Sequence, residues 1–389
     1  MSASNREGLA INAGSSSLRL ATFQCVDGDC RIGARQRIEI SAHTDRATLL
    51  QANATLTPTL IVHRIVHGGA HTQPLIIDAA VEHELDALGA LAPLHNPPAL
   101  AFVRASRARW PRALQVAVFD TGFYAQLPAV ASTYALPARV REQYGIKRYG
   151  FHGLAHASMW HRWRAAQEWP PTDAKVISLQ LGSGCSITAT RNGVAVDTSM
   201  GFSPLEGLVM ATRGGDVDAG VLLHLQRAAN MGVDELKAML NHESGLYGLA
   251  GSGDMQQLLA DDGPAARLAI EVYCYRARKY IGAYAAALGG VDAILFGGGV
   301  GEGSAAIRAK ILQGLEWCGV ELDPAANARV SPARAHAQAI HRAHAQAKDN
   351  RAVSVWVVPV DEEYALAQAA LALLSNPGET HDASSRNAR

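Results

Sequence analysis

Leu9-Ala-Ile-Asn-Ala-Gly-Ser-Ser-Ser-Leu-Arg19 and Val176-Ile-Ser-Leu-Gln-Leu-Gly-Ser-Gly-Cys-Ser-Ile-Thr188 are built alike: an apolar run, a Gly/Ser turn, then a second apolar run. A turn of this size aims several backbone N–H groups and hydroxyls at one anion. Two strand–turn–strand units about half a chain apart predict two similar domains sharing a ligand cleft. Gly/Ser hairpins are common, so two like turns taken alone leave coincidence open.

Working outward, glycines cluster directly after apolar, β-branched runs at 8–19, 61–69, 116–122, 176–186, 212–220 and 293–303. Such places read as strand ends where the backbone turns tightly. Amphipathic or alanine-rich stretches at 97–109, 221–230, 267–288 and 304–317 suit helices. Strands that alternate with helices define an α/β chain.

The bulk chemistry narrows the function classes. With 389 residues, 48% apolar and 18% charged, the chain can fill one large or two ordinary cores, which excludes global disorder. Its 35 basic and 35 acidic side chains cancel, leaving no electrostatic footprint for nucleic acid or an anionic membrane. Five cysteines, Cys25, Cys30, Cys185, Cys274 and Cys318, are odd in number and lack metal-ligand spacing, so they read as reduced thiols rather than a disulfide framework or a zinc site. The first eight residues lack a basic-then-apolar signal, and no apolar run approaches the roughly 20 residues of a membrane span. The expected compartment is the cytoplasm.

Candidate chemistry sits at the glycine clusters. Asn12 with Ser15 and Ser17, followed by Arg19, forms a phosphate-loop candidate, although a lone Gly/Ser turn also serves purely structural ends. Arg64, in His63-Arg64-Ile-Val-His67-Gly-Gly, and Arg213, in Thr-Arg213-Gly-Gly-Asp216, are loop guanidiniums flanked by glycine. They suit either surface ion pairs or a clamp on a phosphoryl or carboxylate group. His152, between Phe151 and Gly153, is followed one turn on by His156; without a glutamate this spacing is a poor zinc motif, leaving a hydrogen-bonding or structural imidazole. Asp120 ends an apolar run and Glu362 starts a helical pattern, so each is either a magnesium or positioning carboxylate or a helix cap. His336, His341 and His344, in the Ala- and Arg-rich segment 325–348, read as solvated side chains of a polar helix. Residues 377–389 are polar and read as a flexible tail.

Taken in order, INAGSSSLR, HRIVHGG, PLHNPPAL, VFDTGFY, YGFHGLAH, LGSGCS, VDTSMGFSPLEGLVMATRGGDVD, SGLYGLAGSGDM, FGGGVGEGSAAIR and PVDEEYALA resemble the acetate and propionate kinase family, within the sugar kinase, heat-shock protein 70 and actin superfamily. The resemblance implies two ribonuclease H-like (actin-like) domains with a cleft between them: 1–150, completed by a C-terminal helix at 360–376, and a nucleotide-binding and dimerising domain at 151–359. It implies a homodimer and reversible transfer of the ATP γ-phosphoryl group to acetate or propionate, with Mg2+ or Mn2+. By resemblance Arg64, Arg213, Asp120 and His152 are catalytic; Val66, His95 and Pro204 join Arg64 around the carboxylate; Asn12 and Glu362 serve the metal. The nucleotide side falls on Asn12, Ser15, Ser17, Arg19, on Gly182, Ser183 and Gly184, on Asp254, Met255 and Gln256, and on Gly298, Gly299, Val300 and Gly301.

The sequence departs from the family strings chiefly on the donor side. Arg19 replaces lysine, Gln180 and Ser183 stand in a His-Leu-Gly-Asn-Gly string, Gln256 replaces arginine, and Gly303 ends a Gly-Glu-Asn string. Tyr124 replaces histidine, Asp361 replaces asparagine in Thr-Asn-Glu-Glu, and SGLYGLAGSGDM is one residue short. These changes leave open a second donor, pyrophosphate, and a silent ligand-binding paralogue.

Overall fold

The computed structural model describes residues 6–14, 17–26, 28–40, 46–51, 56–93, 95–168, 172–331, 334–342 and 352–375. Two compact units divide the chain: up to Ala125 together with the part from Asp361, and Gln126–Val360. The division falls at Ala125 rather than near residue 150. Tyr134, Arg148 and Tyr149 bond to Phe202, Glu206 and Gly201, which binds their segment to the second unit.

In the first unit β1 (Arg6–Ala13), β2 (Ser17–Val26) and β3 (Asp29–Glu39) form an antiparallel meander, joined by β4 (Leu60–Ile65), the short β5 (Leu75–Ile76) and β6 (Leu114–Phe119). The sheet order is β3-β2-β1-β4-β6-β5, with β1, β4 and β6 mutually parallel. The second unit repeats this plan. There β7 (Lys175–Leu181), β8 (Cys185–Arg191) and β9 (Val194–Thr198) form the meander, followed by β10 (Ala293–Gly297), β11 (Gln338–Ala339) and β12 (Ser354–Val357). Its order is β11-β12-β10-β7-β8-β9, with β7, β10 and β12 parallel and β11, like β5, an antiparallel edge.

The strand interiors explain the layering. β10 is a continuous apolar run, as buried parallel strands require, and β4 is one but for His63 and Arg64. In the first unit Leu100, Phe102 and Val103 of the helix Asn96–Arg109 join Leu9, Ile11 and Ile61 in one core, each such burial being worth roughly 1.5 to 3 kcal/mol. The helix Glu362–Ser375 packs on the same sheet through Leu366, Ala367 and Ala370. Among the described residues no helix is long and apolar enough to cross a membrane.

Three sequence expectations are corrected. Cys25 and Cys30 form a disulfide, because the β2–β3 hairpin sets them directly opposite one another; Cys185, Cys274 and Cys318 are free thiols. The glycines of 212–220 follow no strand: Val209 and Met210 are buried but lie in a loop, with the Met210 N–H donating to the Arg213 carbonyl. The histidine-rich segment is not one helix. After the helix Pro324–Ala328 the chain extends, Ile340 is fully buried, and its N–H donates to Val355 so that β12 gains an edge partner. His341 bonds Val355 through Nδ1, and His336 is exposed. His344 and residues 377–389 lie outside the described residues.

A buried imidazole makes the first core acid-sensitive. His63, inside β4, has Nε2 2.7 Å from Gln115 Oε1, and burial lowers its pKa to about 4. Above pH 6.5 both folded and unfolded chains hold it neutral. Between 6.5 and 4 only the unfolded chain takes up the proton, so stability falls as pH falls, by about 3 kcal/mol once pH is below 4. Urea melts from pH 7 to pH 4 are expected to show this loss, and His63→Gln to reduce it; an equal acid loss in the variant would contradict the assignment.

Candidate active site

Titratable groups gather at the carboxyl edge of each parallel core. In the first unit Asn12 is the penultimate residue of β1, Arg64 the penultimate residue of β4, and Asp120 follows β6. Parallel register sets Ile11 beside His63 and Arg64 beside Val118, so all three side chains emerge at one edge, where open α/β sheets bind ligands. Arg64 donates through Nε and Nη2 to Asp120 Oδ2 at 3.1 and 2.6 Å, and through Nη1 to Asn12 Oδ1 at 3.1 Å. Asn12 Nδ2 in turn donates to Glu362 Oε2 at 2.7 Å and to Glu363 Oε1 at 3.1 Å. Arg19 Nη1 lies 3.5 Å from the same Glu362 oxygen. Burial works against the Arg64 charge, but Asp120, Glu362 and Glu363 outweigh it and raise the guanidinium pKa above its ordinary value.

The remaining first-unit residues border this cluster. Val66 is buried, and the backbone of the next residue, His67, is held on both sides by Asn96, which accepts from its N–H at 3.0 Å and donates to its carbonyl at 2.9 Å. His95 immediately precedes Asn96 at the helix start. Thr121 Oγ1 accepts from the Gly68 N–H at 3.0 Å. Ser17 opens β2 and its carbonyl receives the Gly14 N–H; Ser15 lies outside the described residues.

In the second unit the β7–β8 turn, Gly182-Ser183-Gly184, meets Arg213 and His152. A Cβ on Gly184 would lie 2.9 Å from Arg213 Nη2 and 3.4 Å from His152 Nε2, so a side chain there would press on both tips. Arg213 Nη1 donates to the Pro204 carbonyl at 2.8 Å. Burial lowers the Arg213 pKa, and no carboxylate lies within ion-pair distance among the described residues. His152 caps the helix Gly153–Ala165 at φ 59°, a left-handed conformation that costs a non-glycine residue about 1 kcal/mol or more. Its Nδ1 is 2.9 Å from Ser186 Oγ, which also lies 2.8 Å from His156 Nε2, while Ser178 Oγ sits 2.7 Å from His156 Nδ1. Burial, aided by the charge of His152, drives the His156 pKa well below the ordinary imidazole value.

The other donor-side residues approach this turn by backbone contacts. The Ala211 N–H donates to the Ser183 carbonyl, and a Cβ on Gly253 would touch Ala211, which brings the segment before Asp254 to the same place. Asp254 itself caps the helix Met255–Ala260, Met255 is buried and Gln256 is exposed. Gly298, at φ 78°, abuts Gln180 and the Leu181 carbonyl and starts the helix Gly298–Gly303 with Gly299, Val300 and Gly301. A Cβ on Gly299 or Gly303 would meet nothing within 4 Å. Several positioning residues escape sequence reasoning. Asn96 is readable only as the residue before Pro97-Pro98, and Tyr134, which donates to Glu206 and thereby fixes the loop carrying Pro204, has no local signal.

Two sheets of one plan, each with a Gly/Ser hairpin at its carboxyl edge, define a ribonuclease H-like α/β protein of two similar domains. The model of the acetokinase family matches residues 39–368. An acetate kinase of Clavibacter sepedonicus is 43% identical over 323 residues, 82% of this chain and 79% of its own length. The crystal structure of Porphyromonas gingivalis acetate kinase superposes with TM-score 0.81 and 32% identity, covering 95% of this chain and all of that one. A propionate kinase structure from Francisella tularensis gives TM-score 0.80 at 31% identity over 94% of this chain and 98% of its own. The chain belongs to the acetokinase family.

The Arg213 environment predicts oxyanion binding. Low-millimolar phosphate, against matched chloride, is expected to raise the melting temperature, and Arg213→Ala to weaken that binding about tenfold or more, the size of one charge-assisted hydrogen bond. Gly184→Ala is expected to act in the same direction by displacing both side chains. Equal protection of all three proteins would contradict this.

Proposed function

We propose that this chain is an acetate kinase that reversibly transfers the γ-phosphoryl group of ATP to acetate or propionate, giving the acyl phosphate and ADP. The observation that carries the reading is Arg213: a partly buried guanidinium whose charge burial penalises, with no carboxylate within ion-pair distance among the described residues, held at a glycine turn next to an imidazole. A buried cation of this kind is stabilised by an anionic ligand. Membership of the acetokinase family, with relatives named acetate kinase and propionate kinase, supplies the acceptor class.

The chemistry suits these groups. A carboxylate is already ionised near pH 7, so its attack needs no strong base. Catalysis rests on alignment and on neutralising the equatorial oxygens of the moving phosphoryl group. We assign that neutralisation to Arg64, Arg213 and His152, with Asp120 holding Arg64. We assign the proton order Ser178 to His156 Nδ1, His156 Nε2 to Ser186 and Ser186 to His152 Nδ1, which leaves His152 Nε2, the nitrogen nearer Gly184, as a donor. Val66 and Pro204, with His95, are assigned to the acceptor. Asn12, Ser15, Ser17, Arg19, Gly182, Ser183, Gly184, Asp254, Met255, Gln256, Gly298, Gly299, Val300 and Gly301 are assigned to the nucleotide. The small residues at 297–301, in place of bulky side chains, support a nucleotide over pyrophosphate.

Among the described residues no three His, Cys, Asp or Glu side chains gather into a metal cage. Glu362, backed by Asn12, fits Mg2+ instead, which takes one or two carboxylates beside phosphate and water; Mn2+ suits the same donors. The metal supplies charge neutralisation on the phosphate oxygens. A homodimer and a cytoplasmic location complete the proposal. The helix Ala219–Ala228, which buries none of its own residues and exposes Val221 and Leu223, supports the dimer.

Hydroxylamine trapping of acyl phosphate, with Mg2+ and acetate or propionate, tests the reading with ATP, GTP and pyrophosphate as donors. Turnover with ATP is expected, and Arg213→Ala or Arg64→Ala should lower kcat by about 10²- to 10³-fold, or 3 to 4 kcal/mol. Product with pyrophosphate alone would move the donor assignment, and no product with any donor would overturn the function.

A further inference from the structure

Three consecutive carboxylates, Asp361, Glu362 and Glu363, open the last helix, and all three are buried. Like charges packed this closely out of water repel and disfavour ionisation unless cations meet them. Each strand of the β1–β3 meander sends one group to this point: Asn12 from β1, Arg19 from β2 and Arg35 from β3. Arg35 bridges the outer two carboxylates, with Nη2 2.6 Å from Asp361 Oδ2 and Nη1 3.0 Å from Glu363 Oε2.

The bridge leaves each carboxylate with a distinct task. The other Asp361 oxygen caps the helix by accepting from the Tyr364 N–H at 3.0 Å. The other Glu363 oxygen accepts from Asn12 Nδ2, the same amide that donates to Glu362. With Arg35 in place, Glu363 is held on both oxygens and Glu362 keeps the shorter Asn12 contact together with Arg19 and Arg64. Without it, Glu363 loses the guanidinium bonded to its Oε2 and competes more strongly for Asn12.

We propose that Arg35 is a positioning residue for the proposed reaction, acting through Asp361 and Glu363 to keep Glu362 aligned with Asn12 and Arg64. This rests on the assignment of Glu362 to the metal and phosphate given above. A planar guanidinium spans two carboxylates in a way an ammonium does not, so lysine is a poor substitute.

The test uses the full-length chain with Arg35→Ala, Arg35→Lys, Asp361→Asn and the Arg35→Ala/Asp361→Asn double variant. In Arg35→Ala, kcat is expected to fall about tenfold while KM for acetate stays within about twofold, the split of a residue that aligns a group rather than binds the acceptor. Deuterium uptake at the amides of Tyr364 and Ala365 should rise in the same variant. Removing one of the two charges that Arg35 bridges should recover part of the lost kcat in the double variant, the coupling expected of contacting charges, with Arg35→Lys intermediate. Wild-type kcat and exchange in Arg35→Ala would overturn the proposal, as would a double variant no faster than the single one. A wild-type protein without acyl phosphate formation would sink the kinase reading instead, and the exchange measurement would still decide whether Arg35 holds the helix start.

Discussion

Asp120 has no solvent exposure, and a carboxylate so placed stays ionised only against a cation. Arg64 is that cation, and the first-unit cluster follows from the pair. Once Arg64 is fixed by two bonds to Asp120, its remaining Nη1 orients Asn12, and the Asn12 amide then sets Glu362 and Glu363. Parallel register of β1, β4 and β6 makes this possible by ending three strands at one edge. Arg213 in the second unit is the opposite case, since its burial is met by a carbonyl and not by a carboxylate. The two guanidiniums thus have different physical meaning. Loss of Arg64 strands a buried carboxylate and costs stability, whereas loss of Arg213 relieves a partly buried charge.

His152 shows how local strain serves the second cluster. A left-handed histidine at a helix start persists only where its surroundings over-determine it. Here Ser186 ties the ring from behind, His156 ties Ser186, and Ser178 ties His156, all from β7, β8 and one helix. Gly184 completes the arrangement by having no side chain where the Arg213 and His152 tips lie. A neutral His156 suits such a relay, because a second imidazolium beside His152 would oppose any charge there.

The duplicated sheets were legible from the two quoted hairpins, since a strand, a Gly/Ser turn and a returning strand are encoded locally. Both became the first two strands of their sheets. The acetokinase family and its fold were legible from collinear strings for the same reason. What escaped depends on distance along the chain or on pairing geometry. Arg35 meets Asp361 across 326 residues and Asn12 meets Glu362 across 350, so neither contact has a local signature. Counting cysteines missed the Cys25–Cys30 bond because hairpin register, not parity, decides it. The Arg213 loop looked like a strand end from composition alone, yet its backbone bonds go to Ser183 and to the helix Gly245–Ala250. The segment after Pro324 looked helical because alanine is abundant, but the open edge of β12 claims it as a strand.

The proposed function assigns both Arg64 and Arg213 to the phosphoryl group that is transferred to a carboxylate. The most direct measurement is inhibition by MgADP with aluminium fluoride, a planar mimic of that group, in the presence and absence of acetate. Tight inhibition that requires acetate and is lost in both Arg64→Ala and Arg213→Ala is the expected result. Inhibition that ignores acetate, or that survives in either variant, would contradict it.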